Sequence, residues 1–492
     1  MKRWLGCLCA VLIPGMVFAD ECAAPYFGIR VVEESTGSGV PLVELRMIHG
    51  ALWVSDNAGW IAFHEPGLMD REIAWLVSGP GISYPKDGFG YACFRARSKP
   101  GTVATLRVRQ NNIATRIGRL TGQGLYRDSE LLGKAVPVPN GNGNGLLGQD
   151  SVQAVEYQDK LFWLWGDTSI ARYPLGNFQT TSAWTARDAD PEKGLRYDYF
   201  TVPDSPEKLR PMLPLADPGA VWMFGLLSQR DAQGRERLFA GYSRQQGLVP
   251  ADEKGIAEFS PEKGRFEVVA PREKKENWRL PMGHAVRVVT PAGDHWYFSV
   301  PFAHVRVRAD VTDLLRADAY EMLRFDPGSA RWEWQRDLPP TTAAEEKNLL
   351  DKKRMPAEQA RYQLREQQTG RVIRVHGASI QWNEWRKRFV MIALQTGDST
   401  DPSPLGEVWY AESDAIDGPW TTGVKVATHP AYSYYNPIHH RFFDREGGRI
   451  IYFEGTYTKE FSGQSLATPR YDYNQLLYRL DLGDARLQPQ SR

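Results

Sequence analysis

Cysteine is scarce here: four residues in a chain of 492. Two of them, Cys7 and Cys9, fall in a leader-like N-terminal stretch. That scarcity excludes a disulfide-rich scaffold and any paired Cys-x-x-Cys metal or redox site. The remaining two, Cys22 and Cys93, predict a single disulfide in an oxidising compartment, with no catalytic thiol. An excess of either charge is lacking as well, since 60 Lys and Arg stand against 59 Asp and Glu. No global field would draw the chain to nucleic acid or to an anionic membrane. After the N-terminus no run approaches the roughly 20 apolar residues of a membrane span. A Gly-rich phosphate loop ahead of a helix and a nucleophile elbow are also missing, so no motif implies a cofactor.

The N-terminus carries an export signal. Lys2 and Arg3 supply its positive end, residues 4–17 an apolar run, and Val17-Phe18-Ala19 a small-residue cleavage site before Asp20. Removal of residues 1–19 would leave a periplasmic or extracellular protein. Cys22 lacks the apolar and small residues that precede a lipidated cysteine, so a lipoprotein is not expected.

Period-2 alternation dominates the rest of the chain and points to an all-β protein. Residues 24–110 read as short strands separated by turns such as Ser35-Thr36-Gly37-Ser38-Gly39 and Asp56-Asn57-Ala58-Gly59, the pattern of a small β-sandwich. Residues 111–147 read as a connector, in which Ile117, Leu120, Leu125 and Tyr126 could form an outer strand, ending in the Asn/Gly loop 139–145.

The segment 148–168 then reads as a hairpin folded about Gln158-Asp159. Strands that turn there place residues whose numbers sum to about 317 opposite each other, and Asp150 and Asp167 satisfy that sum. Two carboxylates side by side are costly in a purely structural hairpin, because cross-strand Cβ atoms sit roughly 4.5–5.5 Å apart. The pair is the first candidate for chemistry; the alternative is a turn cap and a loop acid. Similar hairpins recur four more times, at 225–242, 284–299, 376–393 and 435–454, most followed by further strands. Five such units over 148–485 predict a five-bladed β-propeller. Two excursions interrupt them: 171–220, Pro- and Asp-rich and read as irregular, and 341–368, read as one or two surface helices broken at Pro356. Either could wall the site.

In a propeller, inner strands start and second strands end on one face. That rule gathers Asp150, Asp167, His284, His376, Asn436, His439, His440 and Glu454 at one mouth. Neighbouring carboxylates split their pKa values, which makes one an acid and the other a base or nucleophile. Glu454 is the reserve general acid, or a strand-end acid paired with Arg449 or Arg470. His284, His376, Asn436 and His439 are candidates to hold a substrate. Tyr173, Trp222 and Tyr434 are candidates to stack on a sugar ring, and Arg287 and Arg470 to meet an anionic group. His439-His440 is a weak metal signal because strand neighbours point to opposite faces. A hard cation such as Ca²⁺ on the aspartates is the alternative.

Two resemblances rest on these residues. The run from "VVEESTGSGVPLVELRM" to "VSDNAGWIAF" resembles the transthyretin-like (carboxypeptidase-regulatory-like) domain, which implies a spacer or a surface for a partner. "LGQDSVQAV…KLFWLWGDTS" resembles secreted bacterial five-bladed propellers related to endo-D-arabinanases and, more distantly, the arabinanase and fructosidase clan. That resemblance implies a glycoside hydrolase with Asp150 and Asp167 as the catalytic pair. It also implies a carbohydrate substrate, with furanoside-containing glycans among the candidates. A non-catalytic glycan-binding propeller and an exported partner-docking protein are the competing expectations.

Overall fold

The computed structural model describes residues 23, 25–139, 145–177, 180–245, 253–273, 275–276, 278–290, 293–397 and 403–488, with backbone only for 173–177. The export signal, Cys22 and most of the Asn/Gly loop lie outside these residues. The chain is built mostly from strands, with few and short helices. No helix among the described residues is long and apolar enough to cross a membrane.

Two four-stranded sheets form the N-terminal unit. Phe27–Glu33 lies between Trp60–Phe63, antiparallel, and Val103–Gln110, parallel. Glu72–Ser78 pairs with Glu44–Arg46 and with Cys93–Arg97. The alternation of Glu72–Ser78 is complete, with Ile73, Trp75 and Val77 buried and the intervening residues exposed. Those side chains join Ile29, Val31, Phe63 and Leu106 in one apolar core. Cys93 is a free, half-buried thiol, and no disulfide occurs among the described residues. Cys22, its expected partner, lies outside them.

Five larger sheets of four or five strands follow the N-terminal unit, with two small sheets of two and three strands beside the first. The leading strands are Gln153–Tyr157, Ala220–Arg230, His284–Thr290, Val375–Asn383 and Ser433–His439. In the first hairpin Gln153 faces Leu164 and Tyr157 faces Lys160, the register that a turn at Gln158-Asp159 predicts. Apolar seams join each sheet to the next: Phe162, Met223 and Phe259 between the first and second, Phe239 and Phe298 between the second and third. Tyr297, Ile380 and Trp409 join the third and fourth, and Ile392, Tyr410, Phe453 and Tyr478 the fourth and fifth. Trp163, Trp165, Tyr452 and Leu477 then join the fifth back to the first.

The fifth sheet takes its outer strand, Thr115–Arg119, from ahead of the first, paired with Asn474–Asp481. One sequence reading needs correction. The stretch 171–220 is not simply irregular, since Thr181–Ala186 and Asp198–Tyr199 complete the first sheet. The stretch 341–368 holds the helix Ala343–Asp351, with a Thr342/Glu345 capping box, and beyond Pro356 a single 3-10 turn, Ala357–Gln359, in keeping with the break read at Pro356. Its Glu346 is fully buried, accepting backbone N–H groups of Arg361 and Tyr362. That helix is fastened to the body and is not a lid.

Arg116 fastens the N-terminal unit to the fifth sheet. Its buried guanidinium donates to the carbonyls of Pro41, Pro80 and Leu42 (2.6–3.4 Å). Arg116→Ala strips several buried acceptors at once, and the expected loss is about 3 kcal/mol of stability. A lowered urea midpoint with an unchanged slope measures it.

Candidate active site

The first hairpin does not run straight through. Leu146–Gln149 pairs with Thr168–Ile170 in a separate small sheet, and Gln153–Tyr157 begins the first large one. Between them the chain bends at Ser151, whose φ is +50°. Asp150 sits in that bend. Its N–H donates to the Asp167 carbonyl (3.1 Å) and its carbonyl accepts from Gly166 N–H (2.9 Å). Its carboxylate Oδ1 accepts the backbone N–H of Asp167 (2.8 Å), and Oδ2 accepts the Tyr435 hydroxyl (2.6 Å). Gly166 is required, since a Cβ there would lie 2.4 Å from Asp150 Oδ1. Asp167 Oδ1 accepts the indole N–H of Trp222 (3.2 Å).

Both carboxylates wall a cavity of about 470 Å³, together with Trp222, Phe224, His284, His376, Tyr435, Asn436, Glu460, Phe461 and Tyr473. Asp150 is pushed up to about 6, first by desolvation and then by the charge of Asp167, against the opposing hydrogen bonds of Tyr435 and Tyr473. Asp167 is likewise pushed up to about 6 by desolvation, with Trp222 opposing and Glu460 adding to the rise. Glu460 is raised by partial burial and by the facing Asp150. The cavity is therefore an acidic, partly dehydrated cleft in which the carboxyls hold protons unusually late. His284 is pushed down to about 4 by burial and by His440, so it is neutral, with Nδ1 3.1 Å from Gln153 Nε2. Burial also lowers His376.

The remaining expected residues divide sharply. Trp222, His284, His376 and Asn436 reach the cavity; Asn436 donates to Ser151 Oγ (2.7 Å) and so braces the bend beneath Asp150. Glu454 does not reach it: it is fully buried, with Oε1 2.5 Å from His440 Nε2 rather than beside Arg449 or Arg470. His439 pairs with Asp444 (2.7 Å) and lines a different cavity, of about 530 Å³, with His440. His284 and its partner Gln153 line both cavities. Tyr434 is core: its ring stacks on His429 at 4.6 Å and its hydroxyl donates to the Leu476 carbonyl. Arg287 is spent on Asp294, its hairpin neighbour. Arg470 is spent on Asp128 (3.1 Å). Among the described residues, no arginine or lysine lines the cavity. The side chain of Tyr173 lies outside the described residues, and no described residue of 171–220 or 341–368 lines the cavity.

Glu460, Phe461, Tyr435 and Tyr473 complete the site, and hairpin alternation alone does not single them out. A signal for Glu460 existed: it comes just after the second strand of its hairpin, as Asp167 does. The strand read as ending at Glu454 runs on to Thr458, buried throughout, so the acid at its tip lies six residues later. The aspartates also do not fit a resident cation. Asp150 presents both oxygens to protein donors, and no group of three or more His, Cys, Asp or Glu among the described residues could hold a metal ion.

No protein-family model and no curated protein matches the chain. Among solved structures it is similar to an exo-β-1,3-galactanase from Phanerochaete chrysosporium, with 9% identity over 68% of this chain and a TM-score of 0.35. The chain spans 61% of that galactanase's length. It is also similar to an endo-1,5-α-L-arabinanase from Thermotoga petrophila RKU-1, with 12% identity over 68% of this chain and 71% of that one, TM-score 0.33. An exo-1,5-α-L-arabinanase from a bovine ruminal metagenomic library gives 10% identity over 68% and 93%, TM-score 0.34. Likeness at this level is loose and identifies no family.

A raised carboxyl pKa fixes the sign of a pH effect on stability. The unfolded chain releases these protons near 3.8, while the folded chain keeps them to about 6. The stabilising contribution is therefore complete below about 4 and is lost as pH climbs to 6. Asp167→Asn should raise the melting temperature at pH 7.5 relative to wild type, and this advantage should shrink at pH 4. Parallel thermal scans at the two pH values check it.

Proposed function

We propose that this protein is a glycoside hydrolase whose reaction runs on the Asp150–Asp167 pair. One observation carries the reading: two carboxyl groups, each shifted to about 6, meet in an aromatic-walled cleft. Such a pair holds one proton between its members near pH 6 and supplies an acid and a base together. Asp150, oriented by Tyr435, Tyr473 and the Asp167 N–H, takes the base or nucleophile role. Asp167 takes that of acid or pKa partner. Glu460 replaces Glu454 as the reserve acid, because it borders the cavity while Glu454 is sealed beneath it. Trp222, Phe461 and Tyr473 offer ring faces to a sugar.

Within this reading the five sheets are the blades of a β-propeller over 148–485. Their order, the cyclic apolar seams and the closing strand Thr115–Arg119 support it. The unit 24–110 is read as a transthyretin-like sandwich and 111–147 as the connector. Residues 1–19 are read as a cleaved signal, which makes the protein periplasmic or extracellular. The substrate is a polysaccharide or glycan, furanoside-containing in the first panel to be tested.

Reducing-end release from arabinans and a set of other glycans is the direct test. Asp150→Asn and Asp167→Asn should each lower release by about 10²–10⁴-fold while the protein stays folded. A second reading, glycan binding without turnover, draws on Asp150 having both oxygens already engaged by the protein. It requires saturable glycan binding in the wild type with no release at any pH from 4 to 8.

A further inference from the structure

The cavity has one wall that does not belong to the strands. Residues 459–473 leave the end of Ile450–Thr458 and return to Asn474–Asp481, and Glu460, Phe461 and Tyr473 on this segment border the site. Its two ends are clipped together by one carboxylate: Asp472 Oδ1 accepts the Lys459 N–H (2.7 Å) and the Tyr432 hydroxyl. Tyr432 in turn accepts the Thr468 N–H (2.9 Å), and Ser433 Oγ donates to the Glu460 carbonyl (2.6 Å). The Tyr473 carbonyl lies so close to Gly148 that a Cβ there would come within 2.1 Å. Tyr473 is itself in the left-handed region, with φ +58°.

The far side of the same segment is held by the N-terminal unit and connector. The Tyr471 ring is buried, its hydroxyl donates to the Ser55 carbonyl (2.8 Å), and the Arg119 guanidinium lies over it at 5.3 Å. Thr468 Oγ donates to Glu44 (3.3 Å). Arg470 pairs with Asp128, whose other oxygen accepts the Ala62 N–H (3.0 Å). Residues 44, 55 and 128 thus grip 468, 470 and 471, within five residues of a side chain that touches Asp150.

We propose that Asp472, Tyr432 and Tyr471 are positioning residues, which use the N-terminal unit as a fixed abutment to hold residues 459–473 closed against Asp150. The N-terminal unit is then part of the site's construction and not a detachable spacer. This rests on the cavity being the reactive site, but its test needs no substrate.

Desolvation is the larger cause of the raised Asp150 titration, and the Tyr473 hydrogen bond the smaller, opposing one. The other titratable groups facing Asp150 are Asp167, Tyr435 and Glu460. Release of the segment therefore admits water and moves the midpoint down. In Asp472→Ala, carboxyl-carbon NMR should show Asp150 titrating below its wild-type midpoint of about 6, towards the ordinary 3.8. Hydrogen exchange should accelerate across 459–473 and not in the five sheets. Tyr432→Phe keeps the ring stacked on Tyr457 (4.1 Å) while removing the hydroxyl, and should give a smaller shift in the same direction even if the alanine variant misfolds. Arg449→Ala, which breaks a surface pair with Asp481, should leave both readouts unchanged. An unmoved Asp150 midpoint with unchanged exchange at 459–473 in Tyr432→Phe overturns the proposal. If the shift is seen but no glycan is cleaved, the positioning stands and the hydrolase reading falls.

Discussion

The hydrogen bond from the Asp167 N–H to the Asp150 carboxylate governs the site. A regular hairpin would pair backbone with backbone along its length. Here the ladder parts after Gln149, and a side-chain oxygen takes a backbone donor that the bend would otherwise leave without a partner. Asp150 is therefore a structural acceptor and an ionisable group at once. Asn436 and Thr456 brace the same bend through Ser151 Oγ and the Ser151 N–H, so the fifth sheet fixes what the first hairpin opens. Desolvating a carboxyl costs stability when it ionises, and the buried seams between the sheets supply what offsets that cost.

Period and turn chemistry made the hairpins legible, because alternation and polar turns are local signals. What escaped was set by long-range placement. Tyr434 and Tyr435 are adjacent and chemically alike, yet the pleat sends one ring into the core against His429 and the other to Asp150. Arg470 looks like a free cation in sequence, and its partner Asp128 lies 342 residues away. Glu454 and Glu460 differ in role because a strand runs four residues further than its apolar pattern suggested, to Thr458. The acid pair itself was readable, since its register is set by one turn. The side-chain donors Tyr435, Tyr473 and Trp222, which oppose the raised titration, come from outside the hairpin and leave no mark on its sequence.

The polar axis beneath the cavity has a different character. His284 is neutral and shared by both openings, and behind it His440, at the edge of the second cavity, pairs with the fully buried Glu454 against Trp163 and Phe442. A buried carboxylate–imidazole pair is weak evidence for stability, because desolvation offsets much of its attraction. Its position still matters to the site: the charge-bearing carboxyls open to the cavity are those at strand tips, while those inside the strands are closed off by aromatic rings. Strand length thus decides which acids meet solvent.

Completion of the fifth sheet and the wall of the site share one segment of chain. Thr115–Arg119 reaches Asn474–Asp481 only after the N-terminal unit has been laid down ahead of it, and residues 459–473 are the approach to that same last strand. Joining elements so far apart in the chain is entropically expensive to establish, but that cost grows only with the logarithm of the loop length and is met once. After it is met, the approach segment is held at both ends, by Asp472 on the five-sheet body and by Ser55 and Asp128 on the N-terminal unit and connector. A wall built in this way moves only if the buried Tyr471 or the partly exposed Arg470–Asp128 pair lets go. On the proposed positioning, Asp150 is kept partly dehydrated by contacts belonging to a unit that does not line the cavity.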